Sequence, residues 1–461
     1  MHIKPYRIFS HRGCWYLINI DAMRVFSTDA ETADCLMLML NEASSTDCVA
    51  LHKHLTRFGL LGEGNSMEIR PKPVCQVPVT NMTLFVAQAC NLNCAYCYGD
   101  QGRFGSHGLM TLQVAARAID WLLDQSKSAR QVRIGFLGGE PLLNLPTMKW
   151  AVAYALEQAQ AVGKTVSFYT TTNGTLLNAS TIEFLHTCQF TVQVSLDGPK
   201  VIHDAQRPYL DGRGSYDDIV ANVKQLLQMM PEADVHAVLG AGTDPSEVML
   251  ELKTIGFSRI SILYASGSAF GPNQQPFFSR PRDTQELIKL TEAEADEWLQ
   301  LVADGDWAGL ERLIQSSQLL AALTDFATGQ KHYYPCGAGL GLVAVSVDGG
   351  VYACQRFVGI NEFKLGNVFS SDICRDAYRV SPLVASDQCR DCFARYYCSG
   401  ECKHDNYVST GSPFHISEEI CRLRRRQFEM AGYVMSNLDD LQLSAVVNRG
   451  ILPKRSCILD F

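Results

Sequence analysis

The chain has no apolar run of roughly 18 residues and no basic-then-apolar stretch at its start, so neither a membrane span nor a signal peptide is expected. It has no excess of positive charge. Against 40 Lys and Arg stand 48 Asp and Glu, a formal net charge of -8, which argues against nucleic acid or an anionic membrane as the main partner. The local exception, Arg422-Leu423-Arg424-Arg425-Arg426, reads as a solvated helix end. Nor is the composition that of disorder: 47% of residues are hydrophobic and 19% charged, and 461 residues are enough for two or three domains with a substantial core. Cysteine is the residue not in short supply. Its 17 copies are too many for a reducing compartment unless they bind something, and an odd count fits a complete disulfide framework poorly. A cytoplasmic iron–sulfur protein is the expectation.

The first cysteine group is Cys90-Asn91-Leu92-Asn93-Cys94-Ala95-Tyr96-Cys97, on a loop that follows the apolar strand pattern of residues 83–87. That end of a strand is where barrel enzymes build active sites. A structural zinc or an electron-transfer cluster would normally close its shell with a fourth ligand, and none is near. Three thiolates on a [4Fe-4S] cluster leave one iron open, which S-adenosylmethionine (SAM) can chelate. Three core cysteines or a zinc loop are the plainer alternatives. With the aromatic Tyr96 before the last cysteine, the motif resembles the radical SAM superfamily signature.

Around it the pattern alternates. Strands are predicted at 132–136, 166–170, 190–196, 235–239 and 260–264, with helices at 110–125, 148–160, 181–188, 216–229 and 246–252. With the strand at 83–87 this gives an α/β fold, a partial (β/α)6 TIM-like barrel over 81–282, open on one side. Gly138-Gly139-Glu140-Pro141, Thr171-Thr172-Asn173-Gly174-Thr175 and Ser195-Leu196-Asp197-Gly198 each follow a strand. Two glycines let backbone approach a ligand closely, and Glu140 could accept from a ligand ammonium. Arg207 could pair with a carboxylate. Each is an ordinary turn by itself; in this order they resemble the SAM-binding elements of the radical SAM fold. The resemblance implies contact of Gly138 to Pro141 with the methionine amino group. It implies contacts of Thr172, Asn173, Ser195 and Arg207 with ribose or carboxylate, with Asp197 at the same mouth.

Residues 1–75 stand apart, with strands at 6–9, 14–20 and 23–26 and helices at 30–42 and 48–58. They resemble the winged-helix-like peptide-recognition domain fused to enzymes that modify ribosomally made peptides, where a leader adds as a strand to the sheet edge. A structural cap is the alternative. Cys14, Cys35 and Cys48 have no ligand spacing and are expected in the core; Cys75, Cys188 and Cys457 fall outside every pattern. Residues 62–78 read as a linker and 265–282 as a loop over the barrel mouth. Helices at 286–301 and 308–327 form a bridge, 283–335.

Cysteines return at Cys336, Cys354, Cys374, Cys389, Cys392, Cys398, Cys402 and Cys421. Their spacing resembles the SPASM extension of radical SAM enzymes, placed at 336–430 and followed by a tail, 431–461; a zinc ribbon is the alternative. The resemblance implies an outer auxiliary cluster on Cys389, Cys392, Cys398 and Cys421. It implies an inner one on Cys336, Cys354 and Cys402, open to a substrate thiolate unless Cys374 closes it. A hairpin at 342–352, turning at Asp348-Gly349-Gly350, would deliver Cys354.

Further segments, among them Cys354-Gln355-Arg356-Phe357 and Cys392-Phe393-Ala394-Arg395-Tyr396-Tyr397-Cys398, resemble the thioether-forming peptide maturases. These are the group of the SCIFF-type maturases and the maturation protein of quinohemoprotein amine dehydrogenase. The function so implied is an intrapeptide bond from Cys sulfur to carbon, made through a 5'-deoxyadenosyl radical. It would use three [4Fe-4S] clusters, a cysteine-containing precursor peptide or small subunit with leader, and an electron donor such as flavodoxin or ferredoxin. Carbon–carbon crosslinking is the alternative in the same superfamily. A noncatalytic iron–sulfur scaffold is a further one, and a sulfatase maturase another, disfavoured because that group carries Asp where Gln355 stands.

Overall fold

The computed structural model describes residues 2–40, 48–62, 77–240, 243–264, 284–314 and 317–454. The linker at 62–78, the loop at 265–282, Cys75 and Cys457 lie wholly or mostly outside those residues. The chain forms two compact units. One comprises residues 73–281 and 336–380; the other comprises residues 1–72, 282–335 and 381–461.

The first unit carries the expected barrel. Its parallel strands are β1 (Asn81–Gln88), β2 (Gln131–Gly138), β3 (Thr165–Thr172), β4 (Thr191–Ser195), β5 (Asp234–Leu239) and β6 (Arg259–Tyr264), hydrogen-bonded in sequential order. Among the described residues no ladder closes β6 onto the other edge. Helices α1 (Leu112–Gln125), α2 (Leu145–Ala161), α3 (Ala179–Thr187), α4 (Tyr216–Met229) and α5 (Pro245–Ile255) alternate with the strands. Caps fix several starts: Thr111 accepts from Val114 N, Asn178 from Thr181 N, and Asp244 from Ser246 N ahead of Pro245. Period-2 alternation gives the strands two faces. Val192, Val194, Val235, Ala237 and Leu239 enter the core under the helices, leaving Gln193, Ser195 and His236 on the opposite face, toward the barrel interior.

The expected hairpin, β7 (Leu342–Val345) and β8 (Gly350–Tyr352), forms. Its placement is a finding of the structure: β7 pairs in parallel with β1, and β9 (Lys364–Asn367) follows β8. Residues 336–380 thus extend the barrel sheet, and the region expected as one domain at 336–430 is divided between the two units.

In the second unit the strands Tyr6–His11, Cys14–Asn19 and Arg24–Thr28 form an antiparallel sheet, as expected. Tyr6, Ile8 and Leu17 pack with Leu36, Leu55 and Phe58. Phe9, Tyr16 and Ile18 face a second core with Trp298, Phe428 and Ala431. Cys14, expected in the core, is exposed, since the strand begins there.

Three expectations need correction. The stretch 431–461 is not a tail: the helix Glu418–Asn437 runs through its start, the helix Asp440–Asn448 follows, and Val434, Val446 and Leu452 are fully buried. The helix expected at 308–327 is two, Trp307–Ile314 and Leu320–Thr328, because the buried Glu294 carboxylate accepts from Gln318 N (3.0 Å) and Leu319 N (3.2 Å) and starts the second helix afresh. The arginine run 422–426 is no solvated end but the second and third turns of the helix Glu418–Asn437, with only Arg422 exposed. Arg424 bonds Glu401, Arg425 bonds Glu418 at 2.8 Å, and Arg426 bonds Glu292 at 2.6 Å and Glu429 at 3.0 Å. Among the described residues no helix is long and apolar enough to cross a membrane.

Candidate active site

Cys90 stands two residues beyond the end of β1, and the loop it opens is held from several sides. Asn93 N donates to Pro208 O (2.8 Å) and Ala95 N to Gln206 O (2.9 Å), so the loop runs along the segment that follows the helix Lys200–Gln206. That seven-residue helix was not anticipated; it is too short for periodicity to register. Gln88, also unanticipated, reaches the loop's far end. Its amide donates to Arg103 O and Phe104 O at 2.9 and 3.1 Å, and its Oε1 accepts from Val347 N in the hairpin turn at 2.9 Å.

Asp197 is fully buried and binds three elements together. Its carboxylate accepts from Tyr96 OH (2.5 Å), Arg207 Nε (2.8 Å) and Val238 N (3.0 Å). The Arg207 guanidinium also lies 5.0 Å from the Tyr96 ring centroid. Arg207, expected to receive a ligand carboxylate, is therefore already paired through Nε with a protein one. Beside this pair, His203 Nδ1 accepts from Asp197 N at 3.2 Å and its Nε2 meets Ser215 Oγ at 3.0 Å, whose hydroxyl donates to Arg207 O. The imidazole is neutral with the proton on Nε2. Burial, reinforced by the Arg207 charge, lowers its pKa to about 4.

Glu140 closes the other side. Its buried carboxylate accepts from Leu142 N (3.0 Å), Thr172 Oγ1 (2.8 Å) and Asn173 N (2.7 Å), and burial raises its pKa to about 7 against those bonds. Expected to face a ligand ammonium, Glu140 instead joins the end of β2 to the end of β3. Asn173 extends the link: its Nδ2 donates to Asn91 Oδ1 at 2.9 Å, and Asn91 Nδ2 to Thr175 Oγ1 at 2.8 Å. The double glycine serves close packing. A Cβ on Gly138 (φ +136) would stand 2.0 Å from Ala87 O, and one on Gly139 would stand 2.3 Å from Ala89 O and 2.9 Å from the Cys90 Cβ. Pro141 opens the short 3-10 turn Pro141–Asn144. Ser195 ends β4, in register with His236 of β5.

The donor set fits an iron–sulfur cluster. Cys90, Cys94 and Cys97 are free thiols. Among the described residues no three Cys, His, Asp or Glu side chains converge as they would on one metal ion; a cubane, with one thiolate per iron, needs no such convergence. Cys90 Sγ accepts from Leu92 N at 3.4 Å and lies 3.8 Å from Asn173 Nδ2. Burial, with Glu140 adding to it, raises the Cys90 pKa to about 12; burial opposed by Arg207 raises that of Cys94 to about 11. Loading must therefore displace protons. Asn93 Oδ1, Gln206 Oε1 and His236 Nε2 are buried with no polar partner among the described residues.

In the second unit Cys389, Cys392, Cys398 and Cys421 line a single small cavity, the four cysteines expected for the outer cluster. Arg395, Arg424 and Arg425 line it too, a cationic wall the spacing of cysteines did not reveal. Of the inner set, Cys336 is exposed and Cys354 buried in the barrel unit, while Cys402, half-buried, belongs to the second unit. Cys374 is exposed.

Residues 84–262 match the model of the radical SAM superfamily. The chain is 25% identical over 366 residues to a serine-type anaerobic sulfatase-maturating enzyme of Bacteroides thetaiotaomicron, covering 72% of this chain and 84% of the relative. It is 22% identical over 332 residues to a cysteine-type anaerobic sulfatase-maturating enzyme of Clostridium novyi, covering 68% and 85%. Among solved structures it is similar to native anSMEcpe with bound AdoMet and Cp18Cys peptide, with a TM-score of 0.61 at 19% identity over 81% of this chain and 99% of that one. It is also similar to Streptococcus suis SuiB bound to precursor peptide SuiA, with a TM-score of 0.50 at 16% identity over 91% and 99%. The fold is the radical SAM α/β fold with a parallel sheet, joined to a cysteine-rich C-terminal region.

Proposed function

We propose, from the radical SAM fold of this chain, that it is an enzyme that acts on a cysteine-containing ribosomally made peptide or small protein subunit and joins the cysteine sulfur to a carbon as an intrapeptide thioether. The observation that carries the enzymatic part is the three-thiol loop of Cys90, Cys94 and Cys97, fixed to the ends of β2, β3 and β4 by the buried Glu140 and Asp197 networks. When bound there, a [4Fe-4S] cluster and SAM supply a carbon radical by reductive cleavage of the SAM sulfonium.

The chain's own residues do the rest. Tyr96, Asp197 and Arg207 hold the cysteine loop in one geometry and shield it from water. Asn173 donates toward Cys90, and the interior atoms that lack a partner among the described residues, His236 Nε2 foremost, can orient SAM or substrate. Gly138 to Pro141, Thr172, Asn173, Ser195 and Arg207 are the proposed SAM contacts. Because Glu140 and Arg207 Nε are already engaged, contacts there fall to backbone groups and to the remaining guanidinium nitrogens. Cys389, Cys392, Cys398 and Cys421 are proposed for an outer auxiliary cluster, and Cys336, Cys354 and Cys402 for an inner one. A peptide substrate is favoured by the likeness to structures carrying the Cp18Cys and SuiA peptides. The sheet at 6–28 is the proposed leader-binding element, and flavodoxin or ferredoxin the proposed electron donor.

A second reading is oxidation of a protein Cys or Ser to formylglycine, favoured by the named activity of the relatives from Bacteroides and Clostridium. Anaerobic reconstitution with reductant, SAM and a candidate peptide separates the two. About twelve iron per chain and 5'-deoxyadenosine release support the enzyme. A peptide that loses two hydrogens, keeps its sulfur and no longer alkylates at cysteine is a thioether; loss of the sulfur from a cysteine peptide marks formylglycine. Fully loaded protein that releases no 5'-deoxyadenosine with any peptide leaves only an iron–sulfur scaffold.

A further inference from the structure

We propose that Arg425 and Gln388 set the reduction potential of an iron–sulfur cluster held by Cys389, Cys392, Cys398 and Cys421, and that Glu418 opposes them. This rests on the proposed ligation by those four cysteines. Gln388 and Arg425 line the same cavity as the four thiols. Gln388 Nε2 donates to Cys421 Sγ at 3.5 Å. The Arg425 guanidinium lines that cavity beside Cys392, and its charge favours the thiolates of Cys421 and Cys389. Arg395, whose Nε is buried with no partner among the described residues, lines the cavity as well.

Sequence spacing produces the arrangement. On the helix Glu418–Asn437, Glu418, Cys421 and Arg425 stand at i, i+3 and i+7 and share one face. Glu418 Oε1 accepts from Arg425 Nη1 at 2.8 Å, and its Oε2 from Gln388 Nε2 at 3.4 Å. Arg424, one position round the helix, is matched by Glu401 through two bonds, so its charge is locally cancelled.

Reduction adds one electron and one negative charge to a cluster. A cation and hydrogen bonds at the thiolate sulfurs stabilise the reduced form more than the oxidised one and raise the potential; a carboxylate lowers it. Arg425 is 30% exposed and Glu418 61% exposed, so solvent screens the carboxylate more and Arg425 dominates. These are positioning residues: Gln388 reaches the Cys421 sulfur, Arg425 lines the same cavity, Glu418 holds both side chains, and all act on the electron only through the ligand shell.

The test is a redox titration followed by electron paramagnetic resonance on the anaerobically reconstituted full chain, in a Cys90→Ala/Cys94→Ala/Cys97→Ala background. The signal lost on adding Cys389→Ala identifies the outer cluster. Arg425→Gln is expected to lower the equilibrium constant for its one-electron reduction roughly tenfold, about 59 mV. Gln388→Leu shifts the midpoint the same way by less. Glu418→Gln, a neutralisation at an exposed site that leaves the helix intact, shifts it the opposite way. The proposal is overturned if Arg425→Gln and Glu418→Gln move the midpoint in the same direction, or if neither moves it while iron content and line shape are preserved. If Cys389→Ala removes no signal, the four-cysteine ligation fails first and the proposal with it, a result distinct from an unmoved midpoint.

Discussion

Replacing Asp197 by Asn isolates the electrostatic contribution of the cysteine loop's anchor. The carboxylate has no exposed surface and accepts from Tyr96 OH, Arg207 Nε and Val238 N. In Asp197→Asn the amide oxygen can keep Val238 N, which turns the amide NH2 toward Arg207 Nε–H, donor against donor. Tyr96 can rotate its hydroxyl and accept, but Arg207, only 8% exposed at its side chain, is left as a buried cation without a counter-charge. Breaking a buried pair from one side costs about 3–5 kcal/mol, a large part of a stability of about 5–15 kcal/mol. Denaturant unfolding of the apo protein, with the slope checked so that only the midpoint is interpreted, should show that loss. In Asp197→Asn/Arg207→Met, where the orphaned charge is gone as well, about 2 kcal/mol or more should return. An Asp197→Asn protein within about 1 kcal/mol of wild type, as an exposed pair would give, or a double variant that merely adds the two losses, would refute the role assigned to this pair.

Gly139→Ala places a methyl 2.3 Å from Ala89 O and 2.9 Å from the Cys90 Cβ; iron bound after reconstitution should fall by about a third, the share of one of the three proposed cubanes, with the rest retained. His203, held neutral with a pKa lowered from 6.5 to about 4, contributes stability that is complete above pH 6.5 and lost as pH falls toward 4, since the unfolded chain takes up the proton first. The loss is up to about 3 kcal/mol, and His203→Gln should flatten that limb in unfolding experiments between pH 7 and 4.5. Cys90 and Cys94, raised to about 12 and 11, must give up protons to bind iron, so reconstitution at fixed iron and sulfide should be faster at pH 8 than at pH 6.5; an unchanged rate would count against their ligation. His236→Ala, removing a buried ring nitrogen with no partner among the described residues, should leave stability within about 1 kcal/mol yet lower kcat/KM for SAM cleavage about tenfold, the size of one hydrogen bond; the reverse pattern would make His236 a packing residue.

Much of this protein was legible in one dimension. Val192, Val194, Val235, Ala237 and Leu239 recur with period 2 because one face of each strand must be buried under helices, and α1 to α5 recur with period 3.6 for the same reason. Those periods named the six strands and their helices, and cysteine spacing marked the groups proposed as ligands, because a thiolate's chemistry is carried by the residue itself. Other features were decided only in three dimensions. Glu140 and Arg207 read as open ligand contacts, yet each is engaged by partners that lie 10 to 33 residues away, a pairing no local pattern encodes. The helix Lys200–Gln206, which carries His203 and precedes Arg207, has too few turns to display a face. The arginines at 422–426 looked solvated because a run of like charge normally is; Glu401 and Glu292 are brought to them by packing, and Glu429 lies one turn along the same helix. The hairpin at 342–352 was predictable from its turn, but its pairing with β1 was not, because the edge of a sheet offers hydrogen bonds to any strand that reaches it. The sequence determined which residues are proposed to bind iron and where strands and helices lie; tertiary structure decided which charges surround those thiols, because burial and long-range contact, not chain neighbours, set their electrostatics.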